Sequence, residues 1–503
     1  MKRRALVSFS LVFTLLLVAA LSPASAAGYA AYAYSLNSDS SDCDTFIDRL
    51  KEQSSNYSGA VSRDPDDVTQ YHFEANTHNI KYWSSEGNAS GEVWGTGNSS
   101  VSFNLFDLDL EDIWGGDSSS DLEFVFLAAC NLINGDGSNP RRLLANAMIG
   151  PGAIRAICGY HESAPSAADE AVVDAFMDYA ETGESVKSSW MLANEYVYNN
   201  LGDEYDVWNC RNYIVLTHDN NSQYSRFPGF PGNTYARPTS SSTIVRFSRA
   251  YQDGNDQELR SMNLQGTTTA EQLAAFGAAL PDEVIPLQAE TISLTAVEYD
   301  SLVQKDGVVS IVNDEIKDSP VTLTESSAQQ TALTHILSDY SGLTQADLAN
   351  AVVEVAPIVK AEVNLTGSAA SEVEETVAYI VRMQNAYDGI PIEGSVFSVA
   401  VDDEGIPFSM GKWVNVQPAQ GESVATAVNV DEVLKKFRME LVKQKMYAAQ
   451  SSNEPMTDIT AEAQTLEHFE VLYVLDEDSD LYIPVARFCM EDGAHYDIPL
   501  LEI

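Results

Sequence analysis

The sequence predicts an α/β domain with a doubly wound, mainly parallel sheet, followed by α+β modules built on antiparallel strands. Two observations lead to this fold class. From about residue 28 to residue 248, short apolar runs alternate with segments of helical periodicity, which is the pattern of βαβ units. From about residue 321 onward, long β-rich runs are joined by turn-forming residues and accompanied by single helical segments.

In the first domain, predicted strands and helices alternate along the chain. The central strand carries the strongest signal, because LEFVFLAA is a continuous apolar run suited to burial on both faces of a sheet. The Gly/Pro/Ser-rich segment 227–242 closes this domain with irregular backbone. The predicted strands are 30–36, 57–61, 80–84, 122–129, 153–158 and 212–217. The predicted helices are 42–53, 66–75, 140–149, 166–182 and 185–199.

The second half predicts two similar α+β units after a weakly patterned connector at 249–320. The turn Asp402-Asp403-Glu404-Gly405 joins two predicted strands in the first unit, and an acidic turn at 476–480 does so in the second. The predicted helices are 326–340 and 429–444, and the predicted strands are 351–365, 373–385, 397–401, 408–413, 469–475 and 481–488. The expected domains are 27–248, 321–415 and 416–503.

Charge and targeting signals indicate an exported protein. The chain of 503 residues has 74 acidic and 28 basic side chains and a net charge of −46. This charge repels phosphate backbones and anionic lipid surfaces, so we expect neither nucleic-acid binding nor membrane docking. Residues 1–26 have a basic start, an apolar run and the small-residue pattern Ala24-Ser25-Ala26, which together predict a cleaved signal peptide. We therefore expect secretion or a place in the cell envelope, with no membrane insertion after the signal peptide is removed.

Five cysteines are scattered along the chain without a C-x-x-C pair. This spacing predicts neither a dense disulfide framework nor a zinc cluster. An odd number in an oxidising compartment leaves at least one free thiol or one intermolecular bridge. No cofactor motif is present, so we predict no cofactor.

The first domain resembles the caspase and gingipain type of cysteine peptidase, and in particular exported bacterial proteins with that fold pattern. The resemblance depends on the run FVFLAAC, which ends at Cys130, where such proteins carry the nucleophile at the end of a buried strand. These proteins also have a His-Gly turn after the preceding principal strand. Here that turn reads Ser84-Ser85-Glu86-Gly87, so Glu86 occupies the histidine position. The cysteine–histidine pair of such peptidases is therefore not reproduced at these two positions.

The second half resembles the PepSY-like propeptide modules of secreted peptidases. The similar residues are the segment 385–394 (NAYDGIPIEG), the Val-Asp-Asp-Glu-Gly hairpin and Trp413, with the helix around 433–441 and the strand 482–488 in the second copy. Such modules inhibit or escort a neighbouring enzyme. The resemblance therefore implies a regulatory role.

Cys130 is the candidate nucleophile, with a buried and inert thiol as the alternative. A cysteine nucleophile needs a base. His161 follows the next predicted strand and is our first candidate for it, with Glu86 orienting its ring. His218 is a second candidate, whereas His78 precedes its strand and should lie at the opposite edge.

An acidic segment before the central strand is a possible cation site. Its carboxylates could bind Ca²⁺, but the EF-hand spacing is absent and a solvated acidic loop is the alternative interpretation. Whether the chain binds a metal therefore stays open at this point. The residues concerned are Asp107, Asp109, Glu111, Asp112 and Asp117.

Three functions remain compatible with these patterns. The first is a cysteine peptidase that cleaves a peptide or protein substrate at Cys130 with a displaced base. The second is a degenerate member that binds a peptide or a glycan without catalysis. The third is an inhibitory or structural cell-envelope protein in which the C-terminal modules bind the partner.

Overall fold

The computed structural model describes most of the chain between residues 29 and 501. The predicted signal peptide and Asp117 lie outside the described residues. The described residues are 29–37, 40–53, 57, 61–63, 68–95, 101–116, 121–134, 140–150, 154–202, 205, 207–219, 221–232, 243–250, 270–290, 295–296, 302–366, 372–419, 426–452, 466–476, 479–490 and 494–501.

Strands and helices alternate in the first half, and strands predominate in the second. The strands up to residue 250 are β1 (Ala31–Ser35), β2 (Val61–Arg63), β3 (Ile80–Ser84), β4 (Glu86–Gly87), β5 (Glu92–Trp94), β6 (Ser102–Asn104), β7 (Phe124–Ala128), β8 (Ala156–Tyr160), β9 (Tyr213–His218) and β10 (Ile244–Arg249). The helices of this half are α1 (Ser41–Gln53), α2 (Gln70–Glu74), α3 (Pro140–Ile149), α4 (Asp169–Glu181) and α5 (Val186–Asn200).

The second half contains longer strands, several of which form hairpins. Its helices are α6 (Ala270–Ala279), α7 (Glu325–Asp339) and α8 (Val430–Ser452). Its strands are β11 (Glu283–Val284), β12 (Leu287–Glu290), β13 (Thr295–Ala296), β14 (Leu302–Lys305), β15 (Val308–Val312), β16 (Tyr340–Ser341), β17 (Val352–Glu362), β18 (Glu374–Tyr387), β19 (Ile390–Val401), β20 (Phe408–Lys412), β21 (Asn415–Pro418), β22 (Thr426–Ala427), β23 (Leu466–Asp476), β24 (Leu481–Met490) and β25 (His495–Pro499).

Five parallel strands form the sheet of the first half, in the order β2-β1-β3-β7-β8. Helices cover both faces. Apolar residues of α1, α4 and α5 pack on one face, and those of α2 and α3 pack on the other. α1 shows why the sequence folds this way: Cys43, Phe46, Ile47 and Leu50 form one buried stripe, and its first turn carries two aspartates that favour the helix N-terminus.

The large sheet as a whole is mixed and mostly antiparallel, because antiparallel strands of the second half continue the parallel strands of the first. β9 runs antiparallel to β8, and the strand order continues through β10, β17, β18, β19, β20, β15 and β14, each antiparallel to its neighbour. The pairing of β10 with β17 satisfies backbone groups that an edge strand would leave open. The two halves of the chain therefore share one sheet.

The two halves also share an apolar core. The cluster that contains Phe176 and Trp190 from α4 and α5 also contains Ile358, Ile380 and Phe408 from the antiparallel strands. Within residues 249–320, the range predicted as a connector, β14 and β15 join the large sheet, and the Ser310 hydroxyl lies 3.1 Å from the Tyr179 hydroxyl on α4. This part of the chain is thus packed against the first half.

A further antiparallel sheet is formed near the C-terminus by β21, β12, β24, β23 and β25, and one parallel pairing between Ile392 and Tyr473 links it to β19. α6 and α8 pack on one of its faces. No helix among the described residues has both the length and the apolar character needed to cross a bilayer.

Candidate functional site

Three residues singled out from the sequence follow three neighbouring parallel strands. Glu86 follows β3, Cys130 follows β7 and His161 follows β8, and these strands pair in register. The carboxyl ends of parallel strands share one edge of a sheet, where ligands of open α/β folds bind. The structure therefore places all three positions at the same edge.

The Glu86 turn approaches the Cys130 turn closely through the backbone. The Ser85 N–H donates to the carbonyl of Ala128 at 3.1 Å, which extends the β3–β7 pairing by one residue. A Cβ at Gly87 would lie 2.7 Å from the carbonyl oxygen of Cys130. This position therefore requires glycine, and a larger residue would push the two turns apart.

Cys130 is half-buried, whereas the other four cysteines are buried. Its Sγ accepts a hydrogen bond from the Ala164 N–H at 3.3 Å. The next residue, Asn131, has a φ of 59° and donates its N–H to the Glu162 carbonyl at 2.7 Å, which fixes the turn. A backbone N–H directed at sulfur favours negative charge on the thiol. Burial, by contrast, raises the pKa of the Cys158 thiol well above its usual range.

His161 is held at the strand end, but its ring is not set up to act as a strong base. Its N–H donates to the Asn212 carbonyl at 3.0 Å, and its ring Nε2 is buried without a hydrogen-bond partner among the described residues. Burial, together with the positive charges of Arg246 and Arg141, lowers the pKa of His161 to about 4, and Glu374 opposes this only partly. The imidazole is therefore neutral at neutral pH.

The two arginines near His161 belong to an ion cluster that joins the two halves. Arg141 on α3 and Arg246 on β10 lie 3.4 and 3.3 Å from the same oxygen of Glu372, and Arg246 also pairs with Glu374 at the start of β18. The arginine side chains and Glu372 are largely buried. Removing one member would leave an uncompensated buried charge, so each member is necessary to the others.

Glu86 lies in β4, which pairs with β5 so that Glu86 faces Trp94. Burial raises the pKa of the Glu86 carboxyl above its ordinary value. The side chain therefore keeps its proton to higher pH than an exposed glutamate does. A protonated carboxyl cannot accept a proton from a thiol, and an ionised one would oppose a thiolate beside it.

The two remaining histidine candidates lie at the opposite edge. Since β9 is antiparallel to β8, His218 ends its strand beside the beginning of β8, where its buried ring lies 3.1 Å from the Ile154 carbonyl oxygen. The expectation that it could serve Cys130 was wrong, because the sequence pattern carries no strand direction. His78 precedes β3, and burial beside Lys81 lowers its pKa to about 2.

The acidic segment before β7 projects into solvent. Asp107, Asp109, Glu111 and Asp112 are all exposed. Within the part of the chain that the structure describes, no three His, Cys, Asp or Glu side chains are arranged to hold a metal ion. Asp107 ends a 3₁₀ turn, and Glu111 and Asp112 begin a π-helical turn.

Sequence reasoning missed a second constellation, formed by His468, Glu470 and Cys489 in the C-terminal sheet. Polar residues alternate with aromatic ones along β23 and β24, as in HFE at 468–470 and RFC at 487–489. This period of two places the polar residues on one face. The alternation is visible in the sequence, but the sequence does not show which other segments pack against the polar face.

The sequence matches no protein-family model, and no curated protein matches it.

Proposed function

We propose that the chain is an exported cysteine-peptidase-like protein that binds an extended peptide at the strand edge around Cys130, with little or no turnover at neutral pH. The environment of the His161 ring carries this proposal. A general base works best when its pKa lies near the operating pH. Burial, together with the arginine pair, lowers the pKa of His161 from the ordinary 6.5 to about 4.

The low pKa of His161 matters because a thiol nucleophile depends on a nearby base. A cysteine peptidase needs an imidazole that takes the thiol proton and returns it to the leaving amine. The neutral His161 ring binds a proton weakly, and Glu86 in the family-like histidine position offers no imidazole. Cys130 remains partly exposed with a backbone N–H directed at its sulfur. These features favour a role for the Cys130 thiol in contacting a bound ligand over a role in cleaving it.

The arrangement of the parallel strands supports the caspase/gingipain-like interpretation. The order β2-β1-β3-β7-β8, with helices on both faces, fits a doubly wound arrangement, and folds of that kind bind ligands at the carboxyl edge of the sheet. Cys130 and Glu86 lie at that edge. We therefore propose a peptide or protein as the ligand, entering where the turns after β3 and β7 meet.

The test is peptide binding and cleavage by the mature protein. A fluorescent peptide library would be titrated by anisotropy, and the products would be read by mass spectrometry. We expect binding that Cys130→Trp blocks, no cleavage, and no effect of the matched control Cys158→Ala. Cleavage that Cys130→Ala abolishes and Glu86→Ala leaves intact would overturn the proposal and make His161 the base.

The ion cluster favours a second role, regulation of the first domain by the C-terminal modules. Glu372 and Glu374 come from the propeptide-like half and neutralise Arg141 and Arg246 beside His161. The double substitution Glu372→Gln with Glu374→Gln should free these arginines for an anionic ligand. We expect tighter binding of acidic peptides by this variant than by the native protein. Unchanged affinity for acidic and neutral peptides would exclude this regulatory role.

A further inference from the structure

A cavity of about 80 Å³ lies where the end of α5, the strands β18 and β19, and the C-terminal sheet meet. It is remote in sequence from Cys130 and is lined by both aromatic and ionisable side chains. Its wall includes Trp208, Arg382, His468, Arg487 and Cys489. A cavity with convergent polar groups and shifted pKa values is a candidate binding site on physical grounds.

The strand register brings a thiol and two imidazoles together in this wall. His468 on β23 pairs with Cys489 on β24, which in turn pairs with His495 on β25. Directly paired residues in an antiparallel sheet have Cβ atoms about 5 Å apart on the same face. The opposite face of these strands carries Phe469 and Phe488 and packs against α6 and α8. The polar row therefore faces the cavity.

His468 is fixed in orientation by two contacts. Its ring stacks on Trp208 with centroids 3.6 Å apart and planes 12° from parallel. Its Nε2 lies 3.8 Å from Oε2 of Glu470, the next residue on the same face. Burial opposes ionisation of Glu470, but the neighbouring His468 imidazole, with the charges of Arg487 and Arg382, lowers the pKa of Glu470 to about 2. Thiol, imidazole and carboxylate thus occur in the order that activates a nucleophile.

Arg382 differs from Arg487, the other arginine of this wall. Arg487 donates to both oxygens of Asp497 at 2.8 and 2.6 Å and pairs with Glu393. The Nε of Arg382 donates to Asn199 Oδ1 at 2.7 Å, and its two terminal nitrogens have no hydrogen-bond acceptor among the described residues. A guanidinium with two parallel N–H groups available matches a carboxylate.

We propose that this cavity is a thiol site for small carboxylate-bearing molecules. The substrates are carboxylates that carry a leaving group on the carbon next to the carboxylate. Arg382 binds the carboxylate and His468 accepts the thiol proton. Cys489 then forms a carbon–sulfur bond at that carbon while the bond to the leaving group breaks, and the leaving group departs with the electron pair. Glu470 is a positioning residue that acts through His468. The proposal does not depend on the function of Cys130, which provides a second thiol in the same chain for comparison.

Two alkylating reagents that differ only in charge test the carboxylate preference. Iodoacetate and iodoacetamide each form a carbon–sulfur bond with the thiolate as the carbon–iodine bond breaks and iodide leaves with the electron pair. The extent at each cysteine would be read by peptide mass spectrometry on the full chain. At Cys489 iodoacetate should react about tenfold faster than iodoacetamide, because a charge-assisted hydrogen bond selects it. At Cys130 iodoacetate should be the slower reagent, because the net negative charge of the protein repels it.

Substitutions show which residues cause the iodoacetate preference at Cys489. Arg382→Gln should abolish the iodoacetate preference at Cys489 and leave Cys130 unchanged, whereas the matched control Arg142→Gln should change neither. His468→Asn should slow both reagents at Cys489, and Glu470→Gln should change how the Cys489 rate varies with pH. A reagent ratio at Cys489 equal to that at Cys130, or no effect of Arg382→Gln, would overturn the proposal.

A measurement on the native protein keeps the test valid if a variant fails to fold. Sodium acetate should protect Cys489 from iodoacetamide relative to sodium chloride at the same ionic strength, and it should leave Cys130 unprotected. Equal protection by both salts, or the absence of Cys489 labelling by either reagent, would refute a carboxylate site at this thiol.

Discussion

The shared core predicts that the two halves unfold together, and Phe408→Ala tests this. Phe408 begins β20 in the C-terminal half, is 3% exposed, and belongs to the same apolar cluster as the residues of α4 and α5. Truncating a buried phenylalanine costs about 3–5 kcal/mol. That loss is a large part of the total stability of about 5–15 kcal/mol of a typical protein. We therefore expect the substitution to lower the unfolding free energy of the first half as well.

Tryptophan fluorescence can report on the first half alone. Of the six tryptophans, only Trp413 lies beyond residue 248, so a Trp413→Phe background leaves every indole in the first half. Urea unfolding in this background should show one transition, and Phe408→Ala should shift it by the same free energy in fluorescence and in circular dichroism. The control Val373→Ala, at a residue that is 75% exposed, should leave the midpoint unchanged. A fluorescence midpoint that Phe408→Ala leaves in place would show that the halves unfold independently.

Three other predictions concern thiols and pH. Alkylation of the native protein should label Cys130 before Cys158, because only Cys130 is half-exposed, and a disulfide at Cys130 would contradict this. Burial and the neighbouring Glu315 raise the pKa of Glu184 from 4.5 to about 7, so the folded state loses stability as pH rises through this window. Glu184→Gln should therefore raise the unfolding free energy by up to about 3 kcal/mol at about pH 8 and change it little at about pH 4, as chemical denaturation at the two pH values would show. Glu86→His should speed alkylation of Cys130 at about pH 6–7, the range in which histidine titrates, and an unchanged rate would mean that the two side chains do not interact.

Local patterns predicted the elements that carry the first candidate site. The run FVFLAAC places a strand directly before Cys130, and the structure has β7 ending two residues before it. The helix predicted at 140–149 matches α3. Such agreement is expected where a local pattern alone determines secondary structure, as a continuous apolar run does for a strand buried on both faces and an apolar stripe does for a helix. Local patterns do not predict strand direction, because the apolar pattern of β9 would be the same whether it ran parallel or antiparallel to β8.

Contacts between distant segments could not be predicted from the sequence. The pairing of β10 with β17 joins Val245 to Glu362, which are more than a hundred positions apart, and no local signal marks it. The low pKa of His161 also depends on such contacts, because it results from burial of the ring in the fold and from arginine charges on α3 and β10. Sequence spacing placed His161 at the correct edge of the sheet. It could not show which charges the fold would bring beside the ring.

The scarcity of basic residues gives the arginines a common structural role. In a chain with 74 acidic and 28 basic side chains, several buried arginines pair with carboxylates from other segments, namely Arg141, Arg155, Arg246, Arg249 and Arg487. Arg249 on β10 pairs with Glu195 on α5 and Glu354 on β17, and its side chain is only 2% exposed. Removing one member of such a pair leaves a buried charge and costs about 3–5 kcal/mol. These arginines therefore act as links between elements. Arg382 departs from this pattern, because its Nε donates to the amide oxygen of Asn199 and, among the described residues, no carboxylate lies within ion-pair distance of its guanidinium. In so acidic a protein, a half-buried guanidinium without an ion-pair partner, in the cavity wall that also contains Cys489, is the feature that the proposed carboxylate ligand would explain.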